Sequence, residues 1–204
     1  MKAFVPAAGR GVTAEGLAID DGHLDSAAAT GNARVDAAFC VSARNAVGIV
    51  RGSCPSGPRI GVGAGPLLLR DGKRQPREAS RADHYDGAEP RSALGLDRAR
   101  RTLWMVVAAS RSRAIASASP LDALTAVLQQ LGATSAINLD GGGSSTLAAR
   151  VDGRVRTLNR PIHTPASRGA NARSPTSSGD ASRRGPERTR AARYHWRFEP
   201  RSAP

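Results

Sequence analysis

The feature that most constrains this chain is its punctuation. Short apolar runs end repeatedly in Asp-Gly: Leu17–Ile19 runs into Asp20-Asp21-Gly22, Leu67–Leu69 into Asp71-Gly72, and Thr146–Ala149 lies just ahead of Asp152-Gly153. Asp-Gly favours tight two-residue turns, because both central positions of such a turn take positive φ. Runs this short have the length of strands, not of helices. Two further pairs of runs read as hairpins. Residues 37–41 and 46–50 flank Ser42-Ala43-Arg44-Asn45, and residues 91–97 and 102–108 flank a turn at 97–101. The 102–108 run is the most apolar of the chain and is expected at the centre of a sheet. Residues 1–16, rich in Gly, Ala and Pro, are expected to be irregular, and residues 73–90 to form a polar loop.

One helix stands out against these strands. Ser119 is a good N-cap, Pro120 suits the first helical position, and Asp122 sits where a capping box places an acid. Leu121, Leu124, Leu128 and Leu131 recur at helical spacing and make one apolar face, and Gly132 supplies the stop. A sheet of short strands with this helix packed on it implies an α+β domain, with a mixed or antiparallel sheet and one main helix at about 120–131.

Composition sets the outer limits. The chain's 204 residues suffice for one domain with ragged ends. Aromatic residues are only 3%, so the core must be aliphatic. The net charge of +13 rests on Arg, with Lys only at Lys2 and Lys73. Such a balance reads as coding bias, so the charge alone does not argue for a nucleic-acid partner. From Arg160 onward ten Arg stand against Asp180, Glu187 and Glu199. From about Ser174 the chain is Ser-, Thr-, Arg-, Pro- and Gly-rich and holds too few apolar residues to build a core, so a disordered Arg-rich tail is expected over 173–204. Cys40 and Cys54 are too few for a disulfide framework or a zinc site; one disulfide or two buried thiols remain open. No apolar run reaches transmembrane length, and the N-terminus has no signal-peptide core.

The chemistry concentrates in Ala136–Thr146, which reads Ala-Ile-Asn-Leu-Asp-Gly-Gly-Gly-Ser-Ser-Thr. A short apolar strand delivers Asn138 and Asp140 to its exit. Three glycines follow, which allow sharp turning and close approach to a ligand, and their N–H groups can form an anion-binding nest. Hydroxyls follow at Ser144, Ser145 and Thr146. The spaced glycines of Gly61, Gly63 and Gly65 are not a dinucleotide fingerprint, since no helix follows them, and they suit close strand packing. No histidine is assigned a catalytic role. Asn138 and Asp140 are oxygen donors, too few to define a metal site.

The order of these blocks resembles the phosphodiester glycosidase domain, found in the lysosomal uncovering enzyme and in bacterial exopolysaccharide-biosynthesis proteins. The resemblance rests on Gly63-Ala64-Gly65-Pro66-Leu67-Leu68 with Asp71-Gly72, on Pro90-Arg91-Ser92-Ala93-Leu94-Gly95, and on the helix leading to Asn138–Thr146. Asn159-Arg160-Pro161, with Arg168 and Ala170-Asn171-Ala172, forms a fourth block. The domain would span residues 16–172, after an irregular remnant at 1–15. The chain departs from the family at both ends. Only Ala3-Phe4 stands where members carry an Asn-Gly-Gly-Phe-Phe-like segment, and Arg173-Ser174-Pro175 replaces an apolar closing strand. The expectation is a family domain truncated at the front and divergent at the back.

What the resemblance implies is hydrolysis of a sugar-1-phosphate diester at the anomeric carbon, in exopolysaccharide or glycan processing. Asp140 would act as nucleophile or base. Arg91, Asn138, Gly141, Gly142, Gly143, Ser144, Ser145, Arg160 and Arg168 would bind substrate. No cofactor and no metal are expected, the partner is a phosphorylated glycan or sugar phosphate, and location outside the cytoplasm is implied. Two other readings stand beside this one: an inactive remnant of the domain, and polyanion binding through the Arg-rich tail by phosphate neutralisation.

Overall fold

The computed structural model describes residues 4–7, 11–76, 89–108, 120–143 and 145–159. Their strands form two five-stranded sheets and two separate hairpins, and every pairing is antiparallel. The first hairpin joins β1 (Phe4–Ala7) to β2 (Gly11–Ala14). Strands therefore occupy a segment whose composition reads as irregular.

The first sheet holds β3 (Ala18–Asp20), β4 (His23–Ser26), β5 (Ala37–Ser42), β6 (Val47–Arg51) and β7 (Pro58–Ala64), in the order β4-β3-β7-β5-β6. The second holds β8 (Leu67–Arg70), β9 (Lys73–Arg74), β10 (Arg91–Leu96), β11 (Leu103–Ala108) and β12 (Ser135–Gly141), in the order β11-β10-β12-β8-β9. The helix α1 (Pro120–Gln130) packs on the second sheet. A last hairpin pairs β13 (Ala148–Val151) with β14 (Arg154–Thr157).

The expected hairpins are present, and Asp-Gly turns close three of the strand pairs, β3–β4, β8–β9 and β13–β14. Asp21 and Gly22 take φ of 44° and 84°, Asp71 and Gly72 take 52° and 77°, and Asp152 and Gly153 take 50° and 76°. Two successive positive φ values match the right-handed twist of the strands they join. In the β10–β11 turn the Asp97 carboxylate accepts from the N–H of Arg101 at 2.8 Å and of Thr102 at 3.1 Å.

Alternation sets the layers. Ala37, Phe39 and Val41 of β5 face the second sheet, meeting Leu67, Leu94, Leu96, Ile137 and Leu103. The opposite face of β5, with Ala38 and Cys40, packs against Leu17, Ile19 and Val50. On the second sheet Ala93, Trp104, Val106 and Ala136 turn the other way, onto Leu121, Leu124 and Leu128 of α1. The result is three layers: sheet, sheet, helix.

This overturns the α+β expectation. The protein is mostly β, with a single α-helix, of 11 residues, among those described. The inner face of the second sheet, where an α+β domain would set helices, is covered by another sheet built from short Gly- and Ala-rich strands. A second expectation also fails: β11 lies at the edge of its sheet, not its centre. It is apolar because it is central between layers, with Leu103 and Met105 toward the first sheet and Trp104 and Val106 toward the helix.

The helix ends as its sequence predicts. The N–H of Ala133 donates to the Leu128 carbonyl at 2.9 Å, and that of Gly132 to Gln129 at 3.0 Å, with Gly132 at φ 95°. This is a Schellman stop, sealed by contact between Ala133 and Leu128 in the core. The N-cap position, Ser119, lies outside the described residues. The two cysteines, left open by the sequence, form a disulfide. It ties β5 to the segment after β6 on the face of the first sheet away from the second.

Candidate active site

The site is built at the end of β12. This strand enters from the core, where Ala136 and Ile137 are fully buried, and leaves it at Asp140 and Gly141, which are half-buried. A carboxylate is thus carried by a strand whose position is set by packing on both faces, which gives it little freedom to drift.

Antiparallel register brings the second element in. Gly141 is paired with Arg91 across the β10–β12 ladder, beside a register shift between Arg91 and Ala93. Arg91 is only 4% exposed, and its stem lies over Gly141. Read alone, its position at the start of a strand suits a solvated charge; the structure buries it beside the Asp140 strand end. Burial on this scale is uncommon for a guanidinium, and it makes Arg91 part of the candidate site.

The glycines divide their tasks. A side chain at Gly141 would collide with the carbonyl of the fully buried Pro90. Gly142 takes φ 92° and turns the chain. The N–H of Gly141 donates to Oδ1 of Asp140 at 2.8 Å, that of Gly142 to the Pro90 carbonyl at 2.8 Å, and that of Ser145 to the Gly142 carbonyl at 3.1 Å. Two amides of the expected anion nest, Gly141 and Gly142, are therefore engaged within the protein, as is the Ser145 amide beyond them. Their role here is to orient the Asp140 carboxylate and to close the turn. Gly143 is buried in that turn, while Ser144 lies outside the described residues.

Asn138 is fully buried, two residues before Asp140. Its backbone N–H donates to the Pro66 carbonyl at 3.1 Å, and its side-chain Nδ2 to the Gly65 carbonyl at 2.7 Å. It pins the Gly65–Pro66 connector between the two sheets. Its Oδ1 is buried with no hydrogen-bond partner among the described residues, as is the Ser145 hydroxyl. Gly63, expected to serve strand packing, does so: a Cβ there would collide with the Leu17 backbone, and its N–H donates to the Leu17 carbonyl at 2.6 Å.

The structure thus brings together Asp140, Arg91, Asn138, Gly141, Gly142, Gly143 and Ser145. Ser144, Arg160, Arg168 and the 173–204 tail lie outside the described residues. Two further residues support these segments. Asn159 holds the segment after the glycines, its Oδ1 accepting from the Leu147 N–H at 2.6 Å and its Nδ2 donating to the Ser145 carbonyl at 2.7 Å. Its place in the Asn159-Arg160-Pro161 block was the available signal. Asp36 stands behind the connector, its Oδ1 accepting from the Leu67 N–H at 3.1 Å and its Oδ2 from Arg51 at 2.8 Å. Burial raises its pKa above 3.8, against the smaller opposing pull of the Leu67 N–H and of Arg51. No sequence pattern marks Asp36. No cluster of His, Cys, Asp or Glu able to hold a metal occurs among the described residues, and no described helix is long and apolar enough to cross a membrane.

Comparison with known proteins gives the following. The phosphodiester glycosidase family model matches residues 3–174. No curated protein matches the chain. Among solved structures, the catalytic domain of zebrafish N-acetylglucosamine-1-phosphodiester alpha-N-acetylglucosaminidase, auto-inhibited by its pro-peptide, is 22% identical with a TM-score of 0.48, over 64% of this chain and 47% of that one. A hypothetical protein from Synechocystis is 23% identical with a TM-score of 0.37, over 64% of this chain and 32% of its own. The chain thus spans about half the length of the first structure and a third of the second.

Proposed function

The chain belongs to the phosphodiester glycosidase family, and on that premise we propose that it hydrolyses a sugar-1-phosphate diester at the anomeric carbon. Water adds to that carbon, the bond to the phosphate oxygen breaks, and a free sugar and a phosphomonoester leave. The substrate class is a phosphorylated glycan or a sugar phosphate met in exopolysaccharide or glycan processing.

The observation that carries this reading is the pairing of Arg91 with Gly141, which sets a buried guanidinium beside the strand end that bears Asp140. The chemistry fits these residue types. A phosphate monoester is already a good leaving group, so the reaction asks less of a general acid than ordinary glycoside hydrolysis does. It does need a carboxylate at the anomeric carbon, as nucleophile or as base for water, and Asp140 takes that role. It also needs a cation for the phosphate, and the planar fork of Arg91 suits bidentate contact with phosphate oxygens. Gly143, Ser144 and Ser145 add donors at the same end, and Arg160 and Arg168 further positive charge.

The test is release of free sugar from a sugar-1-phosphate diester by the wild type and by Asp140→Asn. The variant is expected to lose about 10²–10⁴-fold in kcat, the usual range for removing a group that transfers protons in the transition state. Equal rates in two cooperatively melting proteins would overturn the assignment.

A further inference from the structure

The segment that follows the glycine turn is held in an unusual way. None of the four core clusters includes a residue between Gly142 and Asn159, so apolar packing does not position this stretch among the described residues. Hydrogen bonds do. The Gly142 N–H is anchored on Pro90 at one end, and the Ser145 N–H closes back on Gly142. At the other end the ladder of β13 and β14 stops at Ala148 and Thr157. One more backbone bond, from the Leu158 N–H to the Leu147 carbonyl at 2.7 Å, extends it. Beyond that point the backbone pairing is replaced by a side chain.

That side chain is Asn159. A carboxamide has one acceptor and two donor hydrogens on a planar group, the same chemistry as a peptide unit. Its Oδ1 takes the Leu147 N–H at 2.6 Å and its Nδ2 reaches the Ser145 carbonyl at 2.7 Å, so the two bonds bracket Thr146 as a neighbouring strand would. A continuous chain of contacts then runs from Asn159 through Ser145 and Gly142 to Pro90, the residue before Arg91.

We propose that Asn159 is a positioning residue for turnover: its carboxamide holds the far end of the glycine turn so that Asp140, Arg91 and the turn keep one mutual geometry. The proposal rests on the reading of the chain as a phosphodiester glycosidase acting through Asp140. Asn159 touches no reacting atom in this scheme. It acts through Ser145 and Leu147, and because it anchors a segment outside the cores, its loss affects the site more than the fold.

The experiment compares wild type, Asn159→Ala and Asn159→Asp, with two readouts. The first is steady-state release of sugar from a chromogenic aryl diester of a sugar-1-phosphate. Asn159→Ala is expected to lower kcat about 10- to 100-fold, the scale of a small misplacement at a reacting centre, with KM within about threefold. The second is amide hydrogen exchange, which needs no turnover. Exchange at Leu147 is expected to speed up at least about tenfold in Asn159→Ala. Asn159→Asp keeps an acceptor for Leu147 and loses the donor to Ser145, so it should slow turnover while Leu147 stays protected. Unchanged exchange at Leu147 in Asn159→Ala overturns the clamp. Faster exchange with wild-type kcat, or full specific activity in whatever fraction remains folded, overturns the positioning role. If the wild type releases no sugar, the functional reading is what fails, and the exchange comparison still decides whether the clamp exists.

Discussion

The two five-stranded sheets have the same strand count and the same antiparallel pairing, yet they are stabilised differently. The second sheet is buried on both faces, by the first sheet and by α1, and β10 accordingly buries Ala93, Leu94 and Leu96 together. The first sheet has one such neighbour. Its other face closes over a small cluster of Leu17, Ala38 and Cys40, and there a disulfide supplies what packing does not. The candidate site grows out of the doubly buried sheet. A strand fixed by packing on two faces can present a carboxylate at its end with little slack, and the disulfide-stapled layer takes no direct part.

That contrast can be broken by substitution. The largest effect on stability is expected from Leu128→Ala. Leu128 is fully buried at the helix stop, against Gly95 and Ala133. Its truncation should cost about 3–4 kcal/mol in denaturant unfolding and lower turnover as the site-bearing sheet loosens. Replacing Cys40 and Cys54 together by Ser should cost about 2–3 kcal/mol, from the freed loop between positions 14 apart. Here kcat, measured well below the melting temperature, should not change; a fall would mean that the first sheet also sets the site.

The smallest effect concerns Asp36, whose carboxylate joins Arg51 of the first sheet to the Leu67 N–H of the second. Its pKa is raised in the folded protein, chiefly by burial, so the folded state holds that proton more tightly than the unfolded one. The stabilisation linked to the proton is complete below the unfolded value of 3.8 and is lost as pH rises through the raised folded value. Relative to Asp36→Asn, the wild type should therefore lose stability as pH rises across that window, read from paired melts at several pH values. A difference that stays flat with pH would show that Arg51 and the Leu67 amide fully offset the burial.

Local signals in the sequence were dependable where local forces decide the structure. Asp-Gly pairs set three turns, the leucine spacing and Gly132 set the helix, and the strand-then-glycine order of Ala136–Gly143 located Asp140. The class of the fold was harder to read, because β3 and β4 are short and carry few of the β-branched residues that announce strands. Apolar character likewise could not tell an edge strand pressed between layers, such as β11, from a central one. Within the site, the fine roles were hidden for the same reason. Asn138 meets Gly65 across 73 positions, and Asp36 meets Leu67 across 31. Such contacts exist only once the layers dock, so no spacing rule in the sequence reports them.

The bolt formed by Asn138 on the Gly65–Pro66 connector also has a meaning in time. The pairings of the first sheet close among residues 18–64, as a growing chain would deliver them, whereas those of the second sheet span Leu67 to Gly141. The strand that brings Asp140 is the last of the second sheet to be synthesised, and it inserts between β10 and β8, which are already made. During translation, then, the Asp140 carboxylate arrives with the strand that completes its sheet, and a nascent chain short of β12 lacks the strand end on which the candidate site is built.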